Sequence, residues 1–234
     1  MAAMPETIER IKPSIVAVGS YQKTRSPAFA YRGTGFVVAD GTLIATNAHV
    51  LPENLNVENR EALTVVVFGQ GGEPQLREAK AVGVDKTHDL ALLRISGTPL
   101  PALVLDDAGT VREGQTFAFT GFPVATLLGF SAVTHRGMVS AVTPIALPSA
   151  TAQQLDPKVI RSLRTGTFNV FQLDATAYPG NSGSPLYDIE TGRVVGIINM
   201  IFVKSTREAA LSQPSGISFA VPIRFLTDLL SNPQ

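Results

Sequence analysis

Apolar positions along the chain fall in short runs broken every few residues by Gly, Pro, Asn or Asp, a spacing that predicts strands rather than long helices. IVAVGS at 15–20, FVVA at 36–39, TLIAT at 42–46, LTVVVF at 63–68, KAVGV at 80–84 and LALLRI at 90–95 form a first set, rich in β-branched residues. TFAFTGF at 116–122, AVTHRGMVSAV at 132–142, TFNVFQLDA at 167–175, SPLYDI at 184–189, VVGIINMIFV at 194–203 and GISFAVP at 216–222 form a second. The Asp40-Gly41 pair predicts a hairpin turn that joins GFVV to LIAT. Helical periodicity is confined to the ends: Thr7, Ile8 and Ile11 precede Pro13, and Ile223, Leu226 and Leu230 share one side of a terminal helix.

Two such sets predict an all-β chain folded as two barrels, because closure satisfies sheet edges and alternating side chains fill each interior. The expected organisation is an N-terminal segment over 1–14, a first barrel over 15–105, a second over 106–222, and a C-terminal helix and tail over 223–234. A cleft between two barrels is a natural place for chemistry contributed by both. The polar connections 51–61, 146–166 and 204–215 are either rims of that cleft or ordinary surface loops.

Composition removes several classes of function. A chain of 234 residues buries a sizeable core unaided, and with no cysteine it has neither thiol nucleophile nor sulfur-ligated metal. Lys plus Arg and Asp plus Glu both number 19, with the basic residues scattered, so no nucleic-acid partner is expected. No stretch reaches the roughly 18 apolar residues of a membrane span. The opening MAAMPETIERIKPS lacks the basic start and apolar run of a leader. The expectation is a soluble protein, cytoplasmic if the numbering starts at the natural Met and extracytoplasmic if a leader was removed.

Three side chains carry the candidate chemistry. His49 follows a strand-like run in TLIATNAHV, and an imidazole can take and return a proton near neutral pH. Asp89 heads LALLRI; alone it reads as a turn residue, but a carboxylate beside a buried strand needs a partner, and a histidine ring proton would supply one. Ser182 lies between Gly180 and Gly183 in AYPGNSGSPLYD, where a tight turn can aim the N–H groups of Gly180 and Ser182 at a developing oxyanion. His88 and His135 lie in separate contexts, and no glycine-rich run carries a P-loop lysine, so no metal and no cofactor is expected. An esterase is chemically close, but its usual nucleophile turn within a parallel sheet is missing.

The segments RGTGFVV, TNAHV, DLALL, GFP, VTHRGMVSAV, QLDATAYPGNSGSPLYD, GRVVGIINM and GISFAVP together resemble the protease domain of the HtrA/Deg group of trypsin-like serine peptidases, over about 15–230. The resemblance implies two six-stranded antiparallel β-barrels, the trypsin-like serine protease fold, with a short N-terminal helix and a C-terminal helix. It implies endoproteolysis of unfolded, flexible or regulatory polypeptides, with His49, Asp89 and Ser182 catalytic and Gly180, Asn181 and Ser182 forming the oxyanion loop. A small or medium aliphatic residue before the cleaved bond is implied, and Ala175, Thr176 and Ala177, which carry no acid, agree with that. Tyr178, Ile197, Ile198, Asn199, Met200, Ile201, Gly216, Ile217 and Ser218 complete the expected substrate wall; barrel core is the competing reading, evenly matched for Met200 and Ile201. A homotrimer is a further implication, with Tyr21 or Phe29 as contributors. Ser184 replaces a glycine of the familiar pattern, and a position that needs a special backbone angle would distort the loop. No PDZ domain is present in the chain as given. The rival reading is a catalytically silent peptide-binding protein with a protease fold.

Overall fold

In the computed structural model, the residues described are 4–68, 73–106, 109–125, 129–145, 168–200 and 216–232. Helix α1, Met4–Ile11, gives way to a single 3-10 turn at Lys12–Ser14, where Pro13 removes the next amide donor. Twelve strands follow among the described residues: β1 Ile15–Tyr21, β2 Phe29–Val38, β3 Leu43–Thr46, β4 Ala62–Phe68, β5 Pro74–Asp85, β6 Leu90–Ile95, β7 Thr116–Gly121, β8 Val133–Ile145, β9 Phe168–Leu173, β10 Pro185–Asp188, β11 Val194–Asn199 and β12 Ser218–Pro222. Helix α2, Arg224–Ser231, closes the described chain.

The strands make two closed antiparallel barrels, ordered β1-β2-β3-β6-β5-β4 and β10-β11-β12-β9-β8-β7. The all-β fold of two six-stranded barrels with short terminal helices is therefore the one expected from the sequence. The β2–β3 hairpin pairs Val38 with Leu43, and Gly41 at φ +83° carries the turn. Between β6 and β7 the chain is stitched to both barrels: Leu103 N donates to Val37 O and Asp106 N to Val194 O.

Period-2 alternation explains why the strands read as unbroken apolar runs. In β1, Val16 and Val18 point into the first barrel with Val37, Ile44, Val65 and Leu93. Their neighbours Ile15 and Ala17 point the other way, into a cluster with Phe36, Leu92, Phe122, Ile197, Val221 and Leu226 that joins the barrels. Strands covered on both faces need no polar side. The second barrel has its own core of Phe117, Phe119, Val139, Leu173, Leu186 and Ile198. Each large side chain buried this way contributes about 1.5–3 kcal/mol. Helix α2 packs on β5 and β6 through a stripe of Ile223, Leu226 and Leu229, with Leu230 half-buried beside it.

Candidate active site

His49 sits in the 3-10 turn Ala48–Val50, directly after β3. Asp89 ends the turn between β5 and β6 at φ +56°, a left-handed conformation that Asp adopts more readily than most residues. That geometry directs its carbonyl and its carboxylate to one loop. The Asp89 carbonyl accepts from Ala48 N at 3.1 Å and Asn47 Nδ2 at 3.0 Å. The carboxylate accepts from His49 N through Oδ1 at 2.8 Å, and Oδ2 meets His49 Nδ1 at 2.5 Å. Asn199 Nδ2, from the second barrel, donates to the same Oδ2 at 2.7 Å. Asp89 is 6% exposed, and a carboxylate so buried requires these donors. Facing Oδ2, the neutral His49 ring carries its proton on Nδ1, which leaves Nε2 as a proton acceptor.

Ser182 lies in the turn between β9 and β10, where Gly180 has φ +103° and Gly183 φ +87°. A Cβ at Gly183 would collide with Thr34 O, so only glycine lets this turn press against β2 of the other barrel. Thr34 N donates to Ser182 O at 2.8 Å, and Gly183 N donates to Ile198 O at 3.0 Å. The peptide groups around Gly180 are fixed one by one. Pro179 O accepts from Val124 N at 2.9 Å, Gly180 O accepts from Thr34 Oγ1 at 2.7 Å and Tyr31 Oη at 2.8 Å, and Asn181 N donates to Tyr178 O at 2.9 Å. Among the described residues the N–H groups of Gly180 and Ser182 have no acceptor. Ser182 Oγ makes no hydrogen bond among them either, so His49 and Asp89 are joined while Ser182 is not bonded to His49.

Ser184 stays out of the left-handed region, so its replacement of a glycine imposes no backbone strain. Its buried Oγ occupies the space that a Cβ on Gly121 would need. Burial pushes the Tyr31 hydroxyl well above the usual phenol range and pulls His135, stacked on Phe119 at 5.0 Å, below the usual histidine range.

The residues expected to wall the substrate groove lie in three environments. Ala175, Ala177, Ile198 and Met200 are buried in the second barrel's core, and Ile197 in the cluster between barrels. Thr176 is half-buried, Ser218 is fully buried with an unpartnered Oγ, Tyr178 is 38% exposed, and Gly216 and Ile217 are exposed. Ile201 and the 203–215 loop lie outside the described residues. Asn199 has its amide on Asp89, a role that side-chain direction alone reveals. The hydroxyls of Tyr31 and Thr34 are contacts that the sequence reading missed. They lie 149 and 146 positions from Gly180, and no local signal marks them.

A family model described as "Trypsin-like peptidase domain" matches residues 33–197, and the chain belongs to that family. Its relatives include a probable periplasmic serine endoprotease DegP-like of Halomonas elongata, 31% identical over 198 residues, covering 84% of this chain and 34% of that one. Serine protease HTRA3 of Homo sapiens is 31% identical over 233 residues, covering 95% of this chain and 44% of its own length. Mitochondrial serine protease HTRA2 of Drosophila pseudoobscura pseudoobscura is 32% identical over 200 residues, covering 86% and 38%. Within its family the chain is thus an HtrA/Deg-like protease domain, and it spans less than half the length of these relatives. The crystal structure of the serine endoprotease from Yersinia pestis shares the fold, with a TM-score of 0.64 at 24% identity over 99% of this chain and 66% of that one.

Proposed function

We propose that the chain is a serine endopeptidase acting through an acyl-enzyme. Ser182 Oγ attacks a peptide carbonyl while His49 Nε2 takes its proton, and the N–H groups of Gly180 and Ser182 hold the tetrahedral oxyanion. His49 then protonates the leaving amine, and a water that gives its proton to His49 releases the acyl group. Asp89 keeps the histidine in the accepting tautomer throughout. Two observations support the reading: Asp89 and His49 are bonded to each other, and among the described residues the amides of Gly180 and Ser182 have no acceptor. Hydrogen bonds of a catalytic site often lengthen or break without substrate, which accounts for the unmade Ser182–His49 bond.

Residues 15–105 thereby supply the base and 106–222 the nucleophile. The substrates are unfolded, flexible or regulatory polypeptides that lie along the second barrel as an added strand, with a small or medium aliphatic residue before the cut. Thr176, Tyr178, Gly216, Ile217 and Ser218 are the wall residues nearest that role: Tyr178, Gly216 and Ile217 are exposed, Thr176 is half-buried, and Ser218 keeps an unpaired Oγ. Assembly as a homotrimer, with Tyr21 or Phe29 as contributors, would draw on Phe130 as well, which is 36% exposed and packs edge-on against Phe29. Solution mass measurement on wild type and Phe130→Ala tests it: an unchanged mass removes the surface from the interface.

The unmade Ser182–His49 bond also fits a silent peptide binder, and one experiment separates the two. Wild type is expected to cleave an unfolded protein and to accept a fluorophosphonate label on Ser182. Ser182→Ala should lose about 10⁴-fold or more in kcat while still binding peptide. Wild-type cleavage by the purified Ser182→Ala protein would remove the assignment; binding without labelling or turnover in wild type would leave the silent binder.

A further inference from the structure

Beyond the three proposed catalytic side chains, the first barrel reaches into the oxyanion turn of the second. Tyr31, on β2, places its hydroxyl 2.8 Å from both Gly180 O and Phe122 O, so one phenolic proton ties the turn that carries Ser182 to the segment that leaves β7. Thr34, on the same strand, accepts from Phe122 N at 3.0 Å and donates to Gly180 O. The backbone makes the consequence specific. In a trans peptide the C=O and N–H point in opposite directions. Holding Pro179 O against Val124 N therefore turns the Gly180 N–H away from that contact, and holding Gly180 O from the first barrel keeps the next peptide from rotating it back. Gly180 is the residue about which this turn would rotate most freely, being a glycine at φ +103°. The clamp is built tightly: a Cβ on Gly180 would strike Phe122 O and lie 2.9 Å from Tyr31 Oη. Val124 adopts φ +46°, a rare conformation for a β-branched residue, at the point where its N–H reaches Pro179 O.

We propose that Tyr31 is a positioning residue for the oxyanion site, its hydroxyl holding the Gly180 carbonyl so that the Gly180 N–H stays aimed at the oxygen that gains charge. This rests on the reading of the chain as an active peptidase. A phenol kept neutral by burial suits the task, because it remains a donor throughout the pH range of histidine-based catalysis.

Tyr31→Phe deletes one oxygen and keeps the ring among its aromatic neighbours. Removal of a whole oxyanion donor costs about 10²–10³ in kcat, so a donor left in place but loosely aimed should cost about tenfold, with KM little changed. The rate of fluorophosphonate labelling at Ser182 should fall in parallel, since that reaction also places charge on an oxygen in the same site. The pH midpoint of kcat/KM should stay put, because His49 and Asp89 are untouched. Rates are referred to the concentration of folded protein, so a purely structural tyrosine would lower thermal stability and leave kcat per folded molecule unchanged, which overturns the proposal. Should Tyr31→Phe fail to fold, 3-fluorotyrosine at position 31 retains the hydroxyl as a stronger donor, and kcat should shift at constant KM; an unaltered kcat overturns the proposal there too. Wild type that neither cleaves nor labels would instead reject the peptidase reading itself.

Discussion

The two barrels contribute opposite kinds of polar group to the proposed site. In the first, both oxygens of the Asp89 carboxylate and its carbonyl are occupied by donors from Asn47, Ala48, His49 and Asn199. In the second, the Ser182 hydroxyl and the amides of Gly180 and Ser182 have no partner among the described residues, although the peptides around them are firmly held. The difference follows the chemistry proposed for them. A base must have one tautomer and one orientation before substrate arrives, so its bonds are made in advance. An oxyanion exists only during reaction, so its donors must be fixed in direction yet empty.

The sharpest way to break this contrast is at the occupied end. Asp89→Asn keeps the shape, but an amide cannot accept from His49 Nδ1 on the side where it presents N–H, so the imidazole is driven to the tautomer that cannot take the Ser182 proton. The expected loss in kcat is about 10⁴-fold with the protein still folded, read by steady-state cleavage of a peptide. A loss below tenfold would mean that the saturated carboxylate is structural and that the empty turn alone sets the rate.

A smaller effect is expected where the second barrel enters the first. Asn199→Leu is close in volume and removes the donor to Asp89 Oδ2, leaving His49 Nδ1 as that oxygen's protein donor from this pair. Hydrogen bonds to charged groups contribute about 1.5–3 kcal/mol, so kcat should fall about ten- to hundredfold with KM little changed. If stability drops by that amount while kcat per folded molecule stays constant, Asn199 belongs to packing and not to the base.

These contrasts also mark what could be read from the chain. Strand cores were legible because burial on both faces turns β1, β3, β4 and β6 into apolar runs. The first half of β2, FAYRG, and of β5, PQLREA, were not, because exposed or half-buried residues there are placed by pairing with β1 and β4 rather than by their own hydrophobicity. At the site, GNSG is local and carries its geometry in two glycines, so it could be recognised. Asn199 could be placed near the cleft but not aimed, since neighbours on a strand differ only in the face they present. Tyr31 could not be found at all, because its meaning depends on a carbonyl 149 positions away.

The weakest expected effect tests whether the first barrel is saturated beyond the site. Glu61 accepts from Ser20 Oγ at 2.5 Å, from Asn56 N at 3.0 Å and from Arg25 Nη1 at 2.6 Å. These bonds, that from Ser20 foremost, hold its carboxyl down at about 2. An unfolded glutamate titrates near 4.3, so the folded state favours the ionised form. The sign follows: the stabilisation is fully present above the unfolded value and is lost as the pH falls from there toward about 2. Because the Arg25 side of the network is 28% exposed, solvent screening reduces the contribution to about 1 kcal/mol. Urea denaturation should therefore find Glu61→Gln less stable than wild type by about that amount at neutral pH, with the gap closing in acid. A gap of equal size at pH values near 3 and 7 would show that the side chain matters for its shape, and that the outer network of the first barrel does not depend on its charge.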